Sequence, residues 1–132
     1  MKLVSIGYLE GFYYRPRIDK EVLSQHQKGL IGLTACLKGE IPSLLQQRRF
    51  NDALKAADSF LNILGKDNFY LELQENLIPE QRIVNEGLIK LSKELNIPLI
   101  ATNDVHYLSK KDAASHEVLL GIQTQATLND PD

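Results

Sequence analysis

Cysteine is almost absent: Cys36 stands alone among 132 residues, so no intrachain disulfide can form. No apolar run reaches membrane length, and no signal-type apolar core occurs, so nothing reads as a span or a leader. An excess of positive charge is also missing. The 15 Lys and Arg face 17 Asp and Glu, for a net charge of −2. That balance leaves no electrostatic footprint for wrapping nucleic acid, and any DNA contact has to be local or supplied elsewhere. There is no P-loop, nucleophile elbow or dinucleotide fingerprint, no internal repeat and no low-complexity linker. What remains is 43% hydrophobic and 24% charged, the composition of one globular unit with a modest core rather than a disordered chain. The expected compartment is the cytoplasm.

Periodicity divides the chain into helices and strands in alternation. Leu3, Ile6, Leu9 and Phe12 fall at near-helical spacing until Tyr14-Arg15-Pro16-Arg17 interrupts, because proline disfavours a helical residue before it. Asp19-Lys20-Glu21-Val22-Leu23 restarts a short helix. Gly29 to Ala35 is a brief apolar run bounded by glycine and predicts a buried strand with Cys36 at its end. Leu54, Ala57, Leu61 and Leu64 mark an amphipathic helix from Asn51, and Gly65 stands where a left-handed cap belongs. Phe69 to Gln74 alternates with period two, as a strand does. Val84, Leu88, Leu91 and Leu95 return to helical spacing until Asn96-Ile97-Pro98 breaks it. Pro98-Leu99-Ile100-Ala101 reads as a buried strand leading into Thr102-Asn103-Asp104-Val105-His106-Tyr107, and Ser109-Lys110-Lys111-Asp112 has the form of a capping box opening a last helix.

Strands separated by helices of this length predict parallel pairing with right-handed crossovers, hence an α/β fold of about three parallel strands with flanking helices. Such a sheet is either a minimal domain or an arc of a larger barrel. Met1 runs into an apolar-periodic stretch with no cap before it, and the tail Thr127 to Asp132 stops without closing an element. The start favours the arc.

Polar side chains at the ends of parallel strands are where α/β folds keep their sites. Asp104 and His106 are two apart. If the chain stays extended through them, carboxylate and imidazole share one side and can converge on one metal ion. Cys36, at the end of another strand, would lie at the same rim. Thiolate, imidazole and carboxylate together suit zinc, while manganese and iron are less well served by sulfur. Plainer readings stand beside this one. Cys36 can be a small core residue, Asp104 a helix cap, and His106 a cap or loop bridge. His26 and His116 fall in predicted helices with no ligand at a suitable spacing and read as surface or interface residues. Glu72 and Gln74 share a strand face that points either into a barrel or into solvent. Arg15 and Arg17 flank Pro16 and either grip a phosphate or form structural ion pairs.

Larger blocks carry a resemblance. They are Leu9-Glu10-Gly11-Phe12-Tyr13-Tyr14-Arg15-Pro16-Arg17-Ile18-Asp19, Gly29-Leu30-Ile31 leading to Ala35-Cys36-Leu37 and Gly39-Glu40-Ile41-Pro42, then Phe69 to Gln74, Pro79-Glu80-Gln81 with Val84 to Leu88, Ala101 to Tyr107, and Leu119 to Thr124. Together they resemble the polymerase-and-histidinol-phosphatase (PHP) domain of bacterial DNA polymerase III alpha subunits. The resemblance implies that residues 1–132 form the C-terminal part of such a domain, a partial barrel of the seven-stranded PHP type. The opening His-x-His ligands would precede Met1 and the polymerase modules would follow Asp132. It further implies a divalent metal site, zinc before manganese and only in the complete domain, with Cys36, Asp104 and His106 as ligands. No catalytic residue is expected apart from that site.

The implied parent is a DNA-directed DNA polymerase, in which the barrel either hydrolyses a primer end 3′ to 5′ with metal assistance or scaffolds the polymerase. Its implied partners are the rest of the polymerase chain, a DNA primer-template and other replicase subunits, with no membrane, and the segment alone is expected to be inactive. A stand-alone metallophosphoesterase and a non-catalytic interaction domain are the competing readings.

Overall fold

A computed structural model describes residues 1–125; the predicted unfinished tail from Thr127 lies outside the described residues. The chain divides into two units, Met1–Thr102 and Asn103–Asp132.

The first unit opens with helix α1 (Lys2–Leu9) and a two-stranded antiparallel ribbon, β1 (Phe12–Tyr13) with β2 (Arg15–Pro16). The helix therefore ends before Phe12, short of the predicted limit, and the cause is local. At Gly11 a Cβ would stand 2.0 Å from the Arg17 carbonyl oxygen, so only glycine lets the ribbon fold back there. The Arg17 N–H donates to the Gly11 carbonyl at 3.1 Å. Helix α2 (Lys20–Gln25) starts where predicted, and the Asp19 side chain accepts from the Val22 N–H at 2.8 Å. Such a cap contributes about 1 kcal/mol.

Strands β3 (Gly32–Leu33), β4 (Phe69–Gln74) and β5 (Leu99–Thr102) form one parallel sheet in the order β3-β4-β5. Gly32 pairs with Phe69 and Leu33 with Tyr70, while Leu71 to Gln74 pair with Leu99 to Thr102. Helices α3 (Glu40–Gln46) and α4 (Phe50–Leu64) connect β3 to β4, and α5 (Pro79–Leu95) connects β4 to β5. Gly65, the predicted cap of α4, has φ 87° but ψ 158°, a glycine conformation that is extended rather than left-handed helical. Asn96 supplies a left-handed cap after α5, at φ 52° and ψ 42°.

The helices bury their apolar faces against β4. Ile41 and Leu45 of α3, Ala53 and Ala57 of α4, and Val84, Leu88 and Leu91 of α5 enclose Phe69 and Leu71. A Cβ on Gly87 would meet Leu45 Cδ2 at 2.8 Å, so α3 and α5 pack at glycine distance.

The predicted α/β architecture is present, but two strand expectations need correction. The ladder of β3 covers only Gly32 and Leu33 of the predicted Gly29–Ala35 run, and Ile31 is 68% exposed. Leu99 and Ile100 of β5 are exposed as well. Among the described residues only β4 has a strand neighbour on each side, so it alone is buried and the flanking strands are open edges.

In the second unit a 3-10 turn (Lys110–Asp112) leads into helix α6 (Ala113–Thr124). The predicted capping box is there: the Ser109 N–H and hydroxyl donate to Asp112 Oδ2 at 3.1 and 3.0 Å. Among the described residues no helix is long and apolar enough to cross a membrane.

Candidate functional site

Parallel strands deliver their carboxyl ends to one edge of the sheet, and polar side chains gather at that edge. Glu72 and Gln74 are 8% and 4% exposed, so the alternation in β4 does not mark a solvated face. Each Glu72 carboxylate oxygen is engaged. Oε1 accepts from the Thr102 hydroxyl at 2.5 Å and from Gln74 Nε2 at 3.2 Å, and Oε2 accepts from the Ala35 N–H at 3.0 Å. The Glu72 N–H donates to Thr34 Oγ1 at 2.8 Å. Asn85 Nδ2 donates to the Gln74 carbonyl at 2.8 Å and accepts at Oδ1 from Gln81 Nε2 at 3.0 Å. Gln74 Oε1 and Gln81 Oε1 are buried acceptors with no donor among the described residues.

Cys36 lies in the loop that leaves β3. It is a free thiol, half-buried and outside the apolar core, so it is not the small core residue that its apolar neighbours suggest. The loop is tight: Ala35 has φ 62°, the Gly39 N–H donates to the Cys36 carbonyl at 2.8 Å, and a Cβ on Gly39 would stand 2.3 Å from the Thr34 carbonyl oxygen.

Asp104 and His106 follow β5. Asp104 has φ 51°, so the extended conformation stops there, and the same-side argument drawn from their spacing of two fails. Another feature of the pair replaces it. His106 Nδ1 lies 2.7 Å from the Asp104 carbonyl oxygen. A carbonyl only accepts, so Nδ1 is the donor in that contact, and in the neutral ring Nε2 is the nitrogen that keeps a lone pair. His106 thus bridges its own loop while keeping one nitrogen for a ligand. Asp104 caps no helix; Ser109 and Asp112 hold the cap positions that follow.

Other sequence candidates fall as follows. His116 is not a solitary helix residue: its ring centroid is 5.8 Å from that of His106 and 5.2 Å from that of Tyr107. His26 is the C-cap of α2. Arg15 and Arg17 form no ion pair among the described residues, contrary to the structural reading, and the Arg17 guanidinium lies over the Tyr13 ring at 5.5 Å. The acid nearest in sequence, Asp19, is occupied in capping α2. Sequence reasoning missed the threonines Thr34 and Thr102. The available signal was a threonine near the end of each apolar strand run, Thr34 within Gly29–Ala35 and Thr102 just past Ala101.

A thiol, a carboxylate and an imidazole with a free Nε2 match the donor chemistry of a zinc-type ion. Among the described residues, however, no three His, Cys, Asp or Glu side chains are grouped so as to hold one. The donor types fit, and a closed coordination shell is not formed.

The chain is similar to known proteins along nearly its whole length. It is 49% identical over 130 residues to the DNA polymerase III subunit alpha of Borreliella burgdorferi, covering 98% of this chain and 11% of that protein. It is 46% identical over 132 residues to that of Thermus aquaticus, covering 100% and 11%, and 46% identical over 129 residues to that of Deinococcus radiodurans, covering 98% and 10%. The chain thus spans about a tenth of the length of these relatives. The PHP domain family model matches residues 1–76, more than half of the chain, and three parallel strands flanked by helices agree with part of a PHP barrel, so this chain belongs to the PHP domain family.

Proposed function

We propose that the chain is the later part of the PHP domain of a DNA polymerase III alpha subunit. Its role there is to supply part of the barrel and three metal ligands, Cys36, Asp104 and His106. The single observation that carries the reading is 46–49% identity to such subunits along virtually the entire chain. The parent is a DNA-directed DNA polymerase that works on a primer-template with other replicase subunits.

Support for the ligands comes from their chemistry and position. The Cys36 thiol is free, the Asp104 carboxylate makes no hydrogen bond among the described residues, and His106 keeps Nε2 available. Cys36 and Asp104 follow the carboxyl ends of parallel strands. PHP domains are generally metal-binding, and this mixed sulfur, nitrogen and oxygen set favours zinc over manganese. Such an ion supplies an activated water and a polarised phosphoryl oxygen, which is the chemistry of primer-end phosphodiester hydrolysis. The protein's own part is to hold donors at the edge, with the His106 tautomer set by the Asp104 carbonyl.

The test uses the full polymerase subunit carrying this segment. Asp104→Asn and His106→Ala should each lower bound metal and primer-end hydrolysis together, by about tenfold or more, while nucleotide addition changes by less than about twofold. Undiminished metal and hydrolysis in both variants would remove these residues from the site.

A further inference from the structure

We infer that Glu72 is a positioning residue whose one carboxylate fixes the points at which both site-bearing loops leave the sheet. The main-chain ladder between β3 and β4 ends at the pair Leu33–Tyr70, so Thr34 and Ala35 lie beyond its reach. Glu72 takes over at that point. Its N–H holds the Thr34 hydroxyl, and its Oε2 holds the Ala35 N–H while Ala35 adopts a left-handed φ of 62°, which a residue with a Cβ rarely adopts unaided. On the other side, Oε1 holds the hydroxyl of Thr102, the last residue of β5, and Gln74 Nε2 pins the same oxygen. One buried side chain therefore bridges residues 67 positions apart, from Ala35 to Thr102.

A purely structural role explains Glu72 poorly. It is 8% exposed, and no Lys, Arg or His forms an ion pair with it among the described residues. A carboxylate buried without a cation is costly. Neutral donors from both flanking strand ends offset that cost, and what they achieve together is a fixed spacing between Ala35 and Thr102, where the chain leaves β3 and β5. The consequence for metal binding rests on the function proposed above; the clamp itself does not.

The experiment is amide exchange followed by mass spectrometry on the full, metal-free polymerase subunit. Glu72→Ala should speed exchange in peptides covering residues 34–39 and 101–106 together, by about tenfold or more, and leave peptides of α4 (residues 50–64) within about twofold. Glu72→Gln keeps one carbonyl acceptor, which can face the Ala35 N–H or Gln74 Nε2 but not both, and should restore protection in one of the two segments more than in the other. With Glu72→Ala, a change in only one of the two segments or an equal change in α4 would overturn the clamp. Zinc titration forms a second arm, in which Glu72→Ala should weaken uptake by about tenfold and unaltered uptake would deny Glu72 a role in positioning ligands. If Asp104→Asn leaves zinc uptake unaltered, the ligand assignment fails while the exchange result still decides the clamp.

Discussion

Asp104 illustrates what a sequence carries and what it withholds. Residue type alone identified a carboxylate and an imidazole as zinc-suited donors. The φ of 51° at Asp104, which removes the same-side geometry, has no signature in an Asp-x-His spacing. The tautomer of His106 was equally illegible, since it depends on where a backbone carbonyl ends up. Glu72 and Gln74 are ambiguous because alternation reports period and not which face is covered; the helices pack on the Phe69 and Leu71 face, while Glu72 meets Thr34, Ala35 and Thr102 at the flanking strand ends. Glycine was more legible in effect than in cause. Gly11 has room for no side chain, so Gly11→Ala should destabilise the chain by about 1–3 kcal/mol in urea denaturation, through displacement of the ribbon. An unchanged midpoint would mean that the ribbon shifts freely. Asp19→Ala, by contrast, should cost about 1 kcal/mol through loss of the α2 cap.

Elements with a sustained period were legible nearly to the residue. β4 spans Phe69–Gln74 as read, α5 ends at Leu95 before Asn96, and the Ser109–Asp112 box opens the final helical segment. The ribbon was not, because strands of two residues contain no period. The sequence shows β3 and β5 as strands but not their exposure: an apolar run reports a preference for cover, and Leu33, Leu99 and Ile100 are exposed. This difference between centre and edge has an energetic consequence. Leu71→Ala, at 0% exposure in the central strand, should lose about 2–5 kcal/mol, whereas Ile100→Ala at 38% exposure should lose about 1 kcal/mol or less. Denaturant midpoints of the two variants compare them directly, and equal losses would contradict the assignment of β5 as an edge.

For the whole molecule, the two strand edges that are open among the described residues, with exposed apolar side chains on both, predict behaviour in solution. Leu33, Leu99 and Ile100 are exposed beside unpaired backbone, an arrangement that invites strand addition. The isolated chain should therefore associate with itself as concentration rises, and sedimentation velocity should show the weight-average coefficient climbing; a constant monomer value would show that the edges are shielded. An open three-stranded parallel sheet in a chain about a tenth the length of its relatives agrees with part of a PHP barrel. The most direct measurement is zinc X-ray absorption on the full polymerase subunit loaded with zinc. A zinc–sulfur path near about 2.3 Å is expected with nitrogen or oxygen near about 2.0–2.2 Å, and Cys36→Ser should abolish the sulfur path. A spectrum without sulfur, or a sulfur path that survives Cys36→Ser, would contradict the placement of Cys36 among the ligands.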